Sequence, residues 1–64
     1  MKNKILEFYL KENNLFMWEL AVICRVSVTA IRKIASQDPH IRYKTVRIVA
    51  EIIGVEVSAL MDVP

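Results

Sequence analysis

The sequence predicts an all-α fold of five short helices, on three observations. Apolar residues recur at i, i+3 and i+4 along most of the chain, which is the spacing of one helical face, and alternation with period two is absent. Gly54, Pro39 and Pro64 are the only glycine and prolines, so loop-forming material is scarce. The hydrophobic content of 55% exceeds the roughly 45–50% of average domains and argues against disorder. β-Branched residues are frequent in 26–29 and 46–49 and favour strands, but in both stretches the helical spacing outweighs that propensity. With 64 residues there is room for one compact domain, 1–64, and a chain of about this size buries only about 60% of the surface it exposes when unfolded.

The first helix is expected at about residues 3–13, where Ile5, Leu6, Phe8, Tyr9 and Leu10 form a broad apolar arc. Asn14 then takes the left-handed conformation that closes it. The second helix spans about 17–24, with Glu19 in its first turn, where a carboxylate favours the helix dipole. Ser27 is placed to cap the third, about 28–36, because its hydroxyl can accept a free backbone N–H there. Residues 36–40 make the one clear loop. The fourth helix, about 43–53, carries Tyr43, Val46, Val49, Ala50 and Ile53 on one stripe and stops at Gly54. Ser58 is expected to cap a last short helix that runs through Asp62. No internal repeat, linker or low-complexity tract is present.

Several function classes drop out. Cys24 is the only cysteine, so no internal disulfide forms. His40 has no second histidine or cysteine to complete a metal site and reads as a loop residue without a role. The carboxylates Glu7, Glu12, Glu19, Asp38, Glu51, Glu56 and Asp62 are dispersed, and without a glycine-rich loop there is no phosphate cradle. The expectation is a protein that is not an enzyme and needs no metal or cofactor. Neither a signal peptide nor an apolar run of about 18 residues is present, so a cytoplasmic, non-membrane location is expected.

The net charge of +2 says little, but its distribution says more. Between residues 25 and 47, Arg25, Arg32, Lys33, Arg42, Lys44 and Arg47 stand against Asp38 alone, so that stretch carries +5 and the remainder −3. A basic surface of this kind suits a polyanionic partner. At its centre, residues 20–34 read as helix, tight turn, helix. That reading turns Leu20, Ala21, Cys24, Val26, Ile31 and Ile34 inward and leaves Val28, Thr29, Arg32 and Lys33 on the outer face of the second helix. This is the layout of a helix-turn-helix, here about 17–36, whose second helix meets base edges in the major groove.

The chain resembles the phage Cro and CI repressor class of helix-turn-helix proteins, the Xre-like family, from about residue 6 to 60. The resemblance rests on Leu20 and Ala21 opening the motif, Val26 and Ser27 leaving the turn, and Ile31 and Ile34 on the inner face. It also rests on Thr45, Val46, Val49, Ala50, Ile53, Gly54 and Val55, followed by Ser58, Ala59 and Leu60. It implies a five-helix Cro/CI-repressor-like domain that binds double-stranded operator DNA, often as a dimer, to repress or activate transcription. By position, Val28, Thr29 and Lys33 match places that face bases, while Ser27, Arg32, Arg42 and Lys44 match or flank places that meet phosphate. The chain departs from the family pattern at four positions. Arg25 stands where the motif has a turn glycine, which costs roughly 1–2 kcal/mol if the residue is left-handed. Phe16 replaces a Ser/Thr cap, Met17 a glutamine that meets the DNA backbone, and Gln37 a glycine after the third helix.

Two functional readings follow. In the first, the chain is a sequence-specific DNA-binding regulator of phage or mobile-element type, with recognition helix 28–36 in the major groove. Arg32 and Lys33 then meet guanine edges or phosphates, and Thr29 and Val28 a thymine methyl, unless Val28 merely packs. Arg42, Lys44 and Arg47 add attraction without specificity. In the second, the fold is a protein-interaction module that binds a repressor, polymerase or other host protein through Phe16, Met17, Trp18 and Val22. The opposed expectation for Trp18 is that it fills the core. Val55, Val57, Leu60, Met61 and Val63 suggest a homodimer through the C-terminal segment, with Val57, Leu60 and Met61 in its interface, unless they cover the monomer's own core.

Overall fold

The protein is described by a computed structural model over residues 1–61. Among these residues all regular structure is helical: α1 (Lys4–Glu12), α2 (Met17–Cys24), α3 (Val28–Ser36), α4 (Tyr43–Ile53) and α5 (Val57–Leu60). The middle three have the limits that the sequence predicts, because caps and apolar stripes are local signals. α5 differs. Its N-cap is Glu56, not Ser58, which lies exposed inside the helix. Starting there lets the N–H groups of Ala59 and Leu60 both donate to the Glu56 carbonyl, at 3.1 Å each. Asp62, expected to end this helix, and Val63, expected in a dimer interface, lie outside the described residues.

One device ends the first four helices. Asn14, Arg25, Gln37 and Gly54 all take positive φ, and the N–H one residue further on reaches a carbonyl five residues back. Leu15 donates to Leu10 at 2.9 Å, Val26 to Ala21 at 3.0 Å, Asp38 to Lys33 at 2.8 Å and Val55 to Ala50 at 3.0 Å. Each closure satisfies carbonyls that the helix itself leaves free and turns the chain sharply back on the core.

The helices bury one cluster. Leu6 and Leu10 come from α1, Leu20, Ala21 and Cys24 from α2, Ile31, Ile34 and Ala35 from α3, and Val46, Val49 and Ala50 from α4. Ile41 and the C-terminal Leu60 and Met61 complete it. α2 packs most closely on α3, and α4 on α5, while α1 reaches α3 and α5. One polar side chain is buried with them. Asn3 caps α1 by accepting from Leu6 N–H at 3.1 Å, and its Nδ2 donates to the carbonyls of Ile34 at 3.2 Å and Leu60 at 2.6 Å. No described helix is long and apolar enough to cross a membrane.

Three apolar expectations are corrected. α1 buries only Leu6 and Leu10 of its predicted arc, because a peripheral helix touches the core along one i, i+4 row, and Ile5 and Phe8 are exposed. Tyr43 is exposed at the start of α4, one turn before the helix meets the core at Val46. The dimer interface expected at Val57, Leu60 and Met61 is spent inside the monomer: Leu60 and Met61 are buried, and Val57 packs on the cluster.

Candidate nucleic-acid interface

The α2–α3 unit is set by its turn. Arg25 sits at φ 57°, and its N–H donates to Val22 at 3.2 Å while Val26 N–H closes onto Ala21. A side chain in that conformation is strained where glycine is not, so here the packing of α2 on α3 holds the turn. Ser27 then caps α3, its hydroxyl accepting from Ala30 N–H at 3.1 Å.

α3 turns Ile31, Ile34 and Ala35 inward. Thr29, Arg32 and Ser36 are exposed and Lys33 is half-buried, so positions i, i+3, i+4 and i+7 form one polar outer stripe. Val28 is not part of it. Contrary to its expected outward place, it is half-buried and packed against the core, because N1 of α3 lies under the end of the turn. Val26, expected inward, is half-buried and packs there too.

A tied turn leads from α3 to α4. Gln37 takes φ 57°, His40 N–H donates to Asp38 Oδ1 at 2.9 Å, Ile41 N–H donates to the Asp38 carbonyl at 3.2 Å, and the Ile41 side chain is anchored in the core. Between α3 and this turn opens a shallow cavity of about 250 Å³. It brings together Ser27, Thr29, Lys33 and Arg42 of the predicted residues, along with Ala30, His40, Ile41 and Thr45. Arg32 and Lys44 are exposed outside it. At the start of α4, Arg42 gives no side-chain cap, and Arg42, Tyr43 and Lys44 are all exposed at the positive end of the helix dipole.

The charge is open to solvent. Among the described residues, ion pairs join Glu7 to Lys4 at 3.5 Å and to the N-terminal amine at 3.4 Å, and none involves the basic residues of 25–47. Those two cations, Lys4 foremost, hold the Glu7 carboxyl below its usual range.

Residues missed by the sequence reading fall into two kinds. Ser36 was legible as the i+7 partner of Thr29. His40 and Thr45 carry no such signal, since only the turn between α3 and α4 brings them to the cavity that Lys33 lines.

α2 presents a different surface. Phe16, Trp18 and Val22 are 70%, 60% and 68% exposed, so Trp18 does not fill the core, and Ile23 is exposed beside them. Met17, expected among them, is corrected: it is half-buried and packs on the core. Phe16 cannot accept a hydrogen bond, and only the reciprocal half of a cap exists, with the Glu19 carboxylate accepting Phe16 N–H at 2.8 Å.

A scan against models of known protein families and searches of curated proteins and of solved structures find no match to this chain.

Proposed function

We propose that the chain is a sequence-specific regulator of transcription that binds double-stranded DNA, of the type found in phages and mobile elements, with α3 in the major groove. The observation that carries the reading is the outer stripe of Thr29, Arg32, Lys33 and Ser36, flanked by Arg42, Lys44 and Arg47 with no acidic partner among the described residues. With its side chains a helix such as α3 is about 10–12 Å across, a match for a groove about 12 Å wide. Arg32 and Lys33 offer donors to guanine O6 and N7, and Thr29 offers a methyl to thymine. The mechanism asks for no cofactor and no catalysis.

Phosphate contacts fall at α4 rather than at α2. The free N-terminal amides of α4, with Arg42 and Lys44 beside them, suit an anion. At α2 the Glu19 carboxylate already occupies the Phe16 amide and repels a phosphate. The test is anisotropy titration of duplex DNA at about 50 and 200 mM salt, where each phosphate neutralised adds about 0.9 to the salt slope. Lys33→Ala is expected to lose about 1–3 kcal/mol at one base position, whereas Arg42→Ala weakens all sequences alike and lowers the slope by about 1. Unchanged affinity in both variants overturns the reading.

A second reading is favoured by the exposed Phe16, Trp18 and Val22, which belong to α2 and its N-cap and not to the α3 stripe. Large apolar residues left in water at a helix start mark a contact with another protein, such as a repressor or polymerase, and tryptophan is a frequent centre of such contacts. One face holding DNA and the other a protein are compatible.

A further inference from the structure

Three groups able to carry positive charge meet at the cavity beside α3. Lys33 comes from the last turn of that helix, His40 from the tied turn and Arg42 from the N-cap of α4, and the hydroxyls of Ser27, Thr29 and Thr45 share the lining. No carboxylate lines it. Asp38, the acid of this turn, spends Oδ1 on the His40 amide at 2.9 Å. That bond fixes the backbone of His40, and the buried Ile41 pins the next residue, so the imidazole is brought to the rim by a held turn.

Two fixed cations and three hydroxyls around one cavity without an acid make a site for a tetrahedral oxyanion. On the DNA reading, which this step rests on, the anion next to α3 is a backbone phosphate. We infer that the cavity takes one phosphodiester of the DNA and that a proton on His40 supplies a third cation to it, so that DNA binding tightens as the pH falls. Imidazole changes charge between about pH 5 and 8, and once protonated both of its nitrogens donate. The charged groups that face it are Lys33 from α3 and Arg42 from α4, with Asp38 in its own turn. A phosphate bound there favours the imidazolium, and by reciprocity the imidazolium favours the DNA. His40 is the only histidine of the chain, which keeps the readout clean. Free phosphate offers the same oxygens, so the experiment separates the two sources.

The experiment measures the affinity of a labelled duplex at about pH 5.5 and about pH 8 over a range of salt for the wild type, His40→Gln and His40→Lys, with helical circular dichroism as the check on folding. The wild type is expected to bind roughly five- to ten-fold more tightly at the lower pH, with a salt slope steeper by about 0.9. His40→Gln stays weak at both pH values, His40→Lys stays tight at both, and inorganic phosphate gives no saturable shift of the His40 resonances at millimolar concentration. Binding of the wild type that ignores pH, or pH dependence that survives in His40→Gln, overturns the inference and leaves the DNA reading standing. Saturable binding of inorganic phosphate makes the free ion the ligand and overturns it as well. Failure to bind duplex at any pH overturns both.

Discussion

Asn3 is a single side chain that holds three elements. Besides its three side-chain bonds, its backbone N–H donates to the Ala35 carbonyl at 3.0 Å, so the start of α1, the end of α3 and α5 meet at one residue with 1% exposure. Alanine there removes the α1 cap and takes from the Leu60 carbonyl its donor among the described residues, while the Ile34 carbonyl keeps the Gln37 N–H at 3.1 Å, a loss of about 2–4 kcal/mol. Asn3→Asp is expected to cost more, since a carboxylate keeps the cap but points negative charge at the carbonyls of Ile34 and Leu60. Urea denaturation of the two variants checks both the size and the order. Cys24 acts through the opposite property. Burial pushes its thiol above the usual range, so the unfolded chain releases that proton first as the pH rises. The stabilisation is therefore complete below about pH 8.5 and is lost as the pH climbs from there towards the folded value. Cys24→Ala is expected to remove this part of the alkaline dependence of Tm. In the wild type a thiol reagent should react only as fast as the domain opens.

At the scale of elements, the helix ends were largely readable and the helix faces were not. Ser27, Asn14 and Gly54 declare caps and stops through their own backbone preferences, and the structure uses all three. Arg25 and Gln37 adopt the left-handed geometry without such a preference, each at a strain of about 1–2 kcal/mol that neighbouring packing holds in place. The apolar helix α2 is the case where pattern fails. Seven of its eight residues are apolar, so any rotation about its axis would bury an apolar face. Contact with α3 and α4 chooses Leu20, Ala21 and Cys24, which leaves Trp18 and Val22 in water. Trp18→Ala is accordingly expected to shift stability by less than about 0.5 kcal/mol, against about 3–5 kcal/mol for a core aromatic. The emission of this one tryptophan should be red-shifted and readily quenched by acrylamide in the folded protein. A large destabilisation or a blue-shifted, protected emission would remove the α2 surface as a docking face.

At the scale of the whole fold, the described residues span 30 × 20 × 19 Å, less than the roughly 34 Å turn that separates the half-sites of a dimer-binding operator. On the DNA reading proposed above, one copy would span one half-site at most. Leu60 is 1% exposed, and its carbonyl is an anchor for Asn3. Leu60→Ala is expected to destabilise the monomer by about 2–5 kcal/mol, with a Tm independent of protein concentration. A stability loss that instead grows on dilution, with sedimentation showing a dimer in the wild type only, would return α5 to an interface. The charge follows the same division of labour, with the basic stretch on the α3–α4 side and the ion pairs of the described residues on α1.

By itself the sequence determined the all-helical class, the limits of α2, α3 and α4, and the inward places of Ile31 and Ile34 on α3, because spacing, caps and stop residues act within one or two turns of the chain. The tertiary structure alone decided the rest. It buried Leu60 and Met61, hid Val28, exposed Phe8 and Tyr43, and set His40 beside Lys33 and Arg42. Each of these depends on partners far away along the chain, as with the Asn3 bonds that span 31 and 57 residues. Which apolar surface is buried is settled by the neighbour that covers it, since burial rewards any apolar face about equally per unit area.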